Sequence, residues 1–224
     1  MIRLLFLSLC ILFCSVRADA QYNWVNSMVS ISSTVNRDLG DVLRTKKLVD
    51  DVDALKNRQK GAPTPPALSA PAKVNYAATD FKPTGSRLML EQFAAVAAEA
   101  ERPRLRQALR DVLVSYEKEV RKNNLAYALA FFIGGNLQII GETEIPDDAS
   151  EALAADCHNA LLEMDALKTM SAKDKQQLYE TLILTTGMAA ALYYQAIESH
   201  DDALKKQAQA MARESLEQFG FKFN

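Results

Sequence analysis

Seventeen consecutive residues, Leu125–Gly141 (LAYALAFFIGGNLQIIG), carry no charged side chain, and they limit what this chain can fold into more than any other stretch. A helix that is apolar on every side must be buried on every side, so the flanking segments have to wrap this one. At 100° per residue, Ala126, Ala130 and Gly134 line up as a narrow face of small side chains. Leu125, Leu129, Phe132 and Ile139 lie roughly opposite, and Tyr127 and Phe131 fill one flank. Gly134, Gly135, Asn136 and Gln138 interrupt the run, which falls short of the ~20 apolar residues of a membrane-spanning helix. Glycine costs about 1 kcal/mol relative to Ala inside a helix, so a bend or an end is expected near Gly134-Gly135, with residues 138–140 extended.

The segments around this run have one apolar face each. Before it, Leu88, Leu90, Phe93, Val96 and Ala97 suggest a first helix with Thr84 or Ser86 as its N-cap. Pro103 suits the first turn of a second, which carries Leu105, Ala108, Leu109, Val112, Leu113, Tyr116 and Val120 on one face. Asn123-Asn124 precede the central run as potential caps. After it, Asp147-Asp148 favour a helix start through their charge, and Leu153, Cys157, Leu161, Met164 and Leu167 recur at helical spacing. Ser171 and Asp174 form a capping-box pattern opening a long helix through about Ser199. Its small residues Gly187 and Ala191 are expected to meet Ala126, Ala130 and Gly134, because helices with small faces approach closely. A last helix over residues 201–219 should stop at Gly220, with Phe221 and Phe223 folding back.

The N-terminal part is of another kind. Arg3, the apolar residues 4–13 and Ala18-Asp19-Ala20 read as a secretory signal peptide spanning residues 1–20, which predicts a periplasmic or extracellular protein. Cleavage would remove Cys10 and Cys14 and leave Cys157 alone, in the apolar stripe of its helix, as a buried small hydrophobe. The remaining chain has 24 basic and 27 acidic residues, a net charge of −3, which offers no basic field for nucleic acid. Residues 21–60 form an arm: an irregular Ser/Asn-rich stretch, then an amphipathic helix carrying Leu39, Val42, Leu43, Val49, Val52 and Leu55, its stripe interrupted by Lys46 and Asp53. Four prolines make residues 61–73 a semi-rigid spacer, so the helical domain is placed at residues 74–224.

No catalytic constellation stands out. His158 and His200 are the only histidines, Cys157 and His158 point about 100° apart on a helix, and no metal-ligand spacing is present. No nucleophile elbow or phosphate loop appears, and no cofactor is implied. Glu142 and Glu144, at the end of the buried run, are the one pair with chemical content, since a desolvated Glu can act as the general acid of a glycosidase. A charged connector ahead of Pro146 is the simpler reading. Asn123, Asn124, Asn136, Gln177, Tyr179 and Glu180 could line a small polar pocket, or could satisfy helix ends and one another.

Three patterns, Phe81-x-Pro83-Thr84, the stretch Asn123-Asn124-Leu125-Ala126-Tyr127-Ala128-Leu129-Ala130-Phe131-Phe132, and Lys175-Gln176-Gln177-Leu178-Tyr179-Glu180 before Gly187-Met188, resemble an uncharacterised family of exported bacterial proteins grouped as a domain of unknown function. The resemblance spans about residues 79–221 and implies an all-helical fold and export, with no known reaction. The chain is thus expected to be an all-α bundle of about six helices around a buried central one. Its most natural role is that of a non-enzymatic envelope protein meeting a protein partner through the arm, with a hydrolase using Glu142 or Glu144 as the alternative.

Overall fold

The computed structural model describes residues 74–95 and 97–221. Among them are a 3-10 turn, Tyr76–Thr79, and seven α-helices: α1 Leu90–Ala94, α2 Arg102–Glu119, α3 Leu125–Gly141, α4 Asp147–Glu163, α5 Asp165–Thr169, α6 Ala172–Ser199 and α7 Asp202–Gln218. The fold is all-α. The expected signal peptide, arm and proline-rich spacer, together with Val96 and Phe223, lie outside the described residues.

Helix α3 is the centre, packed against α4, α6 and α7, while α2 packs on α1 and α6. Leu125, Ala126, Ala128, Leu129, Phe132, Ile133 and Leu137 are all buried. Cys157 is a buried thiol in the same core, as its stripe position predicts.

Local signals fix most helix ends. Pro103 sits in the first turn of α2. The Asn124 side chain caps α3 by accepting the Tyr127 N–H at 3.1 Å. Ser171 Oγ accepts from the Asp174 N–H and donates to its carboxylate at 2.6 Å, closing the box that opens α6. Asp201 caps α7 through the amides of Ala203 and Leu204. At the other end Gly220 takes φ +89°, and the Phe221 N–H returns to the Leu216 carbonyl, tucking the Phe221 ring into the core.

Four local expectations are corrected. Helix α3 runs unbroken through Gly134-Gly135 and residues 138–140 to Gly141, ending where Glu142 turns left-handed at φ +54°. A glycine's helical cost is offset when its bare backbone lets another helix approach. A Cβ at Gly135 would lie 2.5 Å from Thr186 Cγ2 of α6. Second, α3 and α6 do pack together, yet not through the glycine faces foreseen. A Cβ at Gly134 would meet Ile145 and Leu153, and one at Gly187 would meet Val112 of α2. The close approach to α6 lies one residue on, about 100° round the helix from Gly134.

Third, α1 is only five residues long, and neither Thr84 nor Ser86 caps it. The Leu88 and Met89 amides instead donate to the Glu180 carboxylate of α6, both at 2.8 Å, so a side chain distant in sequence fills the capping role. Fourth, the helix expected to continue to Leu167 breaks at Met164 (φ −78°, ψ 116°) before α5.

His158 gives the domain an acid-sensitive joint. Thr79 Oγ1 donates to the Tyr76 carbonyl, which leaves its lone pairs for Asn124 Nδ2 and for His158 Nδ1, 3.1 Å away. Burial pushes the imidazole below its ordinary value, with Asp80 opposing. A lowered folded-state value means that the unfolded chain takes up the proton first as pH falls. Stability from this site is therefore full above about pH 6.5, the unfolded value, and is lost as pH drops toward the lower folded value. Chemical denaturation between pH 7 and 5 should show a shallower acid loss in His158→Gln than in the parent chain.

Candidate functional site

A groove of about 490 Å³ lies between α2, α3 and α4. Val112 and Tyr116 of α2, Tyr127, Ala130, Phe131 and Gly134 of α3, and Ile145 before α4 give it an apolar lining. Ala130 and Gly134 of the small-residue face of α3 thus line a cavity, while Ala126 is buried away from it. That volume is within the range of a ligand pocket, and the mixture of aromatic walls with a few polar groups is typical of one.

The polar groups of the groove are distinctive. Tyr116 is 2% exposed, its ring lies 4.9 Å from that of Phe131, and its hydroxyl has no hydrogen-bond partner among the described residues. Burial raises its pKa well above the ordinary phenol value. A buried donor left unmade costs about 1–3 kcal/mol. Tyr116→Phe should therefore stabilise the domain by about 1 kcal/mol in urea unfolding. Lower stability in that variant would show that the hydroxyl is satisfied in solution. Gln138, half-buried on α3, also lines the groove.

Charge at the groove is one-sided. The Tyr127 hydroxyl donates to Glu151 at 3.2 Å, and burial together with that carboxylate raises its pKa. Arg121 lines the groove, but its guanidinium is engaged by both Asp80 oxygens, at 2.9 and 2.5 Å. This pairing, more than its partial desolvation, holds Asp80 below the usual carboxylate range. Glu119, Asp147 and Glu151 are left as exposed carboxylates with no ion-pair partner among the described residues.

A smaller hollow of about 130 Å³ adjoins the groove, and Glu142 and Glu144 line it. The geometry is the reverse of what an acid catalyst needs. Glu142 is exposed, accepts from Lys205 Nζ at 2.8 Å and Gln209 Nε2 at 3.0 Å, and is held below its ordinary pKa chiefly by Lys205. Glu144 is exposed as well. Both residues are exposed, so the hydrolase alternative finds no support here.

The six polar candidates do not converge on one site. Asn124 is fully buried, and its Nδ2 donates to the Tyr76 carbonyl, Thr79 Oγ1 and Asp80 Oδ1, pinning the 3-10 turn to the start of α3. Asn123 adopts φ +53°, and its carbonyl accepts from the Phe81 N–H. Asn136 bridges α3 and α6 by donating to the Phe132 carbonyl at 2.7 Å and Thr186 Oγ1 at 3.3 Å.

Tyr179 and Glu180 belong to a clasp that holds residues 84–89 on α6. Its third member is Gln176, whereas Gln177 is partly exposed and outside it. Gln176 Oε1 accepts from the Thr84 amide and hydroxyl at 2.7 and 2.9 Å, and its Nε2 donates to the Ser86 carbonyl and to Glu180. The Arg87 guanidinium grips Glu117 with two bonds of 2.8 and 2.7 Å, and the Tyr179 hydroxyl lies 3.4 Å from the same carboxylate. Burial and the neighbouring Glu117 raise the Tyr179 pKa. These groups build the fold; they do not open onto the groove.

Among the described residues no group of His, Cys, Asp and Glu is arranged to hold a metal, and no helix is long and apolar enough to cross a membrane. Sequence reasoning missed the groove residues Tyr116, Gln138, Ile145, Glu119, Asp147 and Glu151. The signal that pointed to them was the small face of Ala130 and Gly134, which was paired with the wrong helix.

No curated protein and no solved structure matches the chain. One family profile does, over residues 2–222, which takes in the arm and the spacer as well as the helical domain and so extends beyond the resemblance at residues 79–221. The chain therefore belongs to a family of unknown function, DUF6683.

Proposed function

We propose that this is a non-enzymatic interaction protein of the bacterial cell envelope, exported by residues 1–20, that holds an apolar partner segment in the groove between α2, α3 and α4. The observation that carries the reading is the groove itself, about 490 Å³ with apolar and aromatic walls. The ion-paired Glu142 favours binding over hydrolysis. In this reading residues 21–60 are the part of the chain that reaches toward the partner.

The test uses the neutral fluorophore 1-N-phenylnaphthylamine as an apolar probe with residues 21–224. Saturable, one-site enhancement that disappears in Ala130→Leu, with the variant's helical circular dichroism unchanged, is the expected result. Enhancement that is absent, or equal in the two proteins, would overturn the reading.

A further inference from the structure

Resting on that reading, we infer that the groove's resident occupant is the chain's own arm: residues 37–60 seat their apolar stripe against Tyr127, Ala130, Phe131 and Ile145, and a partner must displace them. Three observations on independent footings point to it.

The first is where the chain enters the domain. The described residues begin at Val74, and the ring of Tyr76 lies 4.7 Å from that of Tyr127, which lines the groove. The arm is therefore tethered at the groove's edge. Thirteen spacer residues in an extended, proline-rich conformation reach about 40 Å at ~3.1 Å each. Such a tether gives the arm an effective concentration near the groove on the order of millimolar.

The second is charge. Residues 74–221 hold 22 acidic and 15 basic side chains, whereas residues 21–73 hold 8 basic and 5 acidic ones. The exposed carboxylates of the groove, Glu119, Asp147 and Glu151, have no cation within the described domain, and Arg121 is neutralised by Asp80. Arg44, Lys46, Lys47 and Lys56 of the arm supply the opposite sign.

The third is shape. Leu39, Val42 and Leu43, and after an interruption at Lys46 Val49, Val52 and Leu55, give two short apolar groups at the three- and four-residue spacing by which a helix anchors in a groove, with Asp53 inside the second. The residues that would receive them are small or flat: Ala130 and Gly134 let a helix approach, and Tyr127 and Phe131 are half-buried rings. As the helix its sequence predicts, the 24-residue segment would span about 36 Å against about 26 Å for the seventeen residues of α3, long enough to lie along the groove.

Two measurements on residues 21–224 decide it. Zero-length carbodiimide cross-linking of the monomer should join Lys46, Lys47 or Lys56 to Glu119, Asp147 or Glu151. Mixed light and heavy isotope-labelled protein reports whether each link lies within one chain. Val42→Ser, Leu43→Ser and Val49→Ser together leave the charge unchanged and, with the helical circular dichroism of the parent retained, should abolish those links. In the same variant 1-N-phenylnaphthylamine should bind about tenfold more tightly, as expected if the arm occupies the parent groove about nine-tenths of the time.

Links spread over other carboxylates, links only between chains, or links unchanged by the three serines would overturn the inference, the second result pointing to exchange with another copy. Equal probe affinity in parent and variant would overturn it too, while leaving the groove a binding site. Absence of probe binding in both would instead remove the groove reading itself.

Discussion

Glu180→Ala is expected to lower the stability of the domain by about 4 kcal/mol, the largest effect of any single polar substitution here. Glu180 is completely buried. One carboxylate oxygen accepts the Leu88 and Met89 amides at 2.8 Å each, and the other accepts Gln176 Nε2 at 2.7 Å. Hydrogen bonds to a charged acceptor contribute roughly 1.5–3 kcal/mol each, and truncation would strand two main-chain donors away from water. The 84–89 segment, held also through Gln176, would then lose its attachment to α6, and Phe93 and Leu90 of α1 would lose theirs with it. At ~2–4 °C per kcal/mol for a domain of this size, the melting temperature should fall by roughly 10 °C. Glu180→Gln, which keeps an acceptor of the same shape, should lose less than half as much. A loss under about 1 kcal/mol for the alanine variant would mean that the clasp does not hold α1 in solution.

The second large effect concerns the contact between α3 and α6. A methyl group at Gly135 would stand 2.5 Å from Thr186 Cγ2, far inside van der Waals contact. Thr186 cannot readily turn away, because it is β-branched within a helix and its Oγ1 donates to the Leu182 carbonyl at 3.0 Å. Gly135→Ala gains about 1 kcal/mol of helix propensity. Overpacking a buried helix interface typically costs about 1–3 kcal/mol and here also separates two long helices. A net loss of about 1 kcal/mol, reaching about 2 kcal/mol if the helices cannot separate, is expected. Thr186→Ser, which removes the opposing methyl and keeps the hydroxyl, should restore most of it. A double-mutant cycle in urea would show a coupling of at least about 1 kcal/mol, and additivity would contradict the close approach.

These two sites also show which parts of the structure were legible in the residues. Helix ends set by neighbours in sequence were readable: Ser171 with Asp174, Asp147-Asp148 at the start of α4, Gly220 with Phe221. So were the buried run and the stripe holding Cys157, because a period of 3.6 needs no knowledge of the partner. The fate of Gly134-Gly135 was not readable, since propensity alone argues for a break and only the arrival of Thr186 makes the glycines useful. The clasp was half visible. Tyr179 and Glu180 were singled out, but Gln177 was chosen over Gln176, because Gln176 is buried by residues 84–89, some 90 positions away, rather than by its place on the stripe. The small face of α3 was seen and its neighbour misassigned, for the same reason: periodicity says that Ala130 and Gly134 share a side, not whether that side meets a helix or a cavity. Glu142 was judged by its position at the end of a buried run, and its character was decided by Lys205 and Gln209 from α7.

The central claim is that the working surface of this protein is the groove between α2, α3 and α4 and not the Glu142 end of α3. Methyl-resolved NMR of residues 21–224 titrated with 1-N-phenylnaphthylamine tests it most directly, since Val112, Ala130 and Ile145 report on the groove while Thr143 and Ala190 report on the smaller hollow beside Glu142. Saturating shifts confined to Val112, Ala130 and Ile145 are the predicted result. Shifts centred on Thr143 and Ala190 would contradict it.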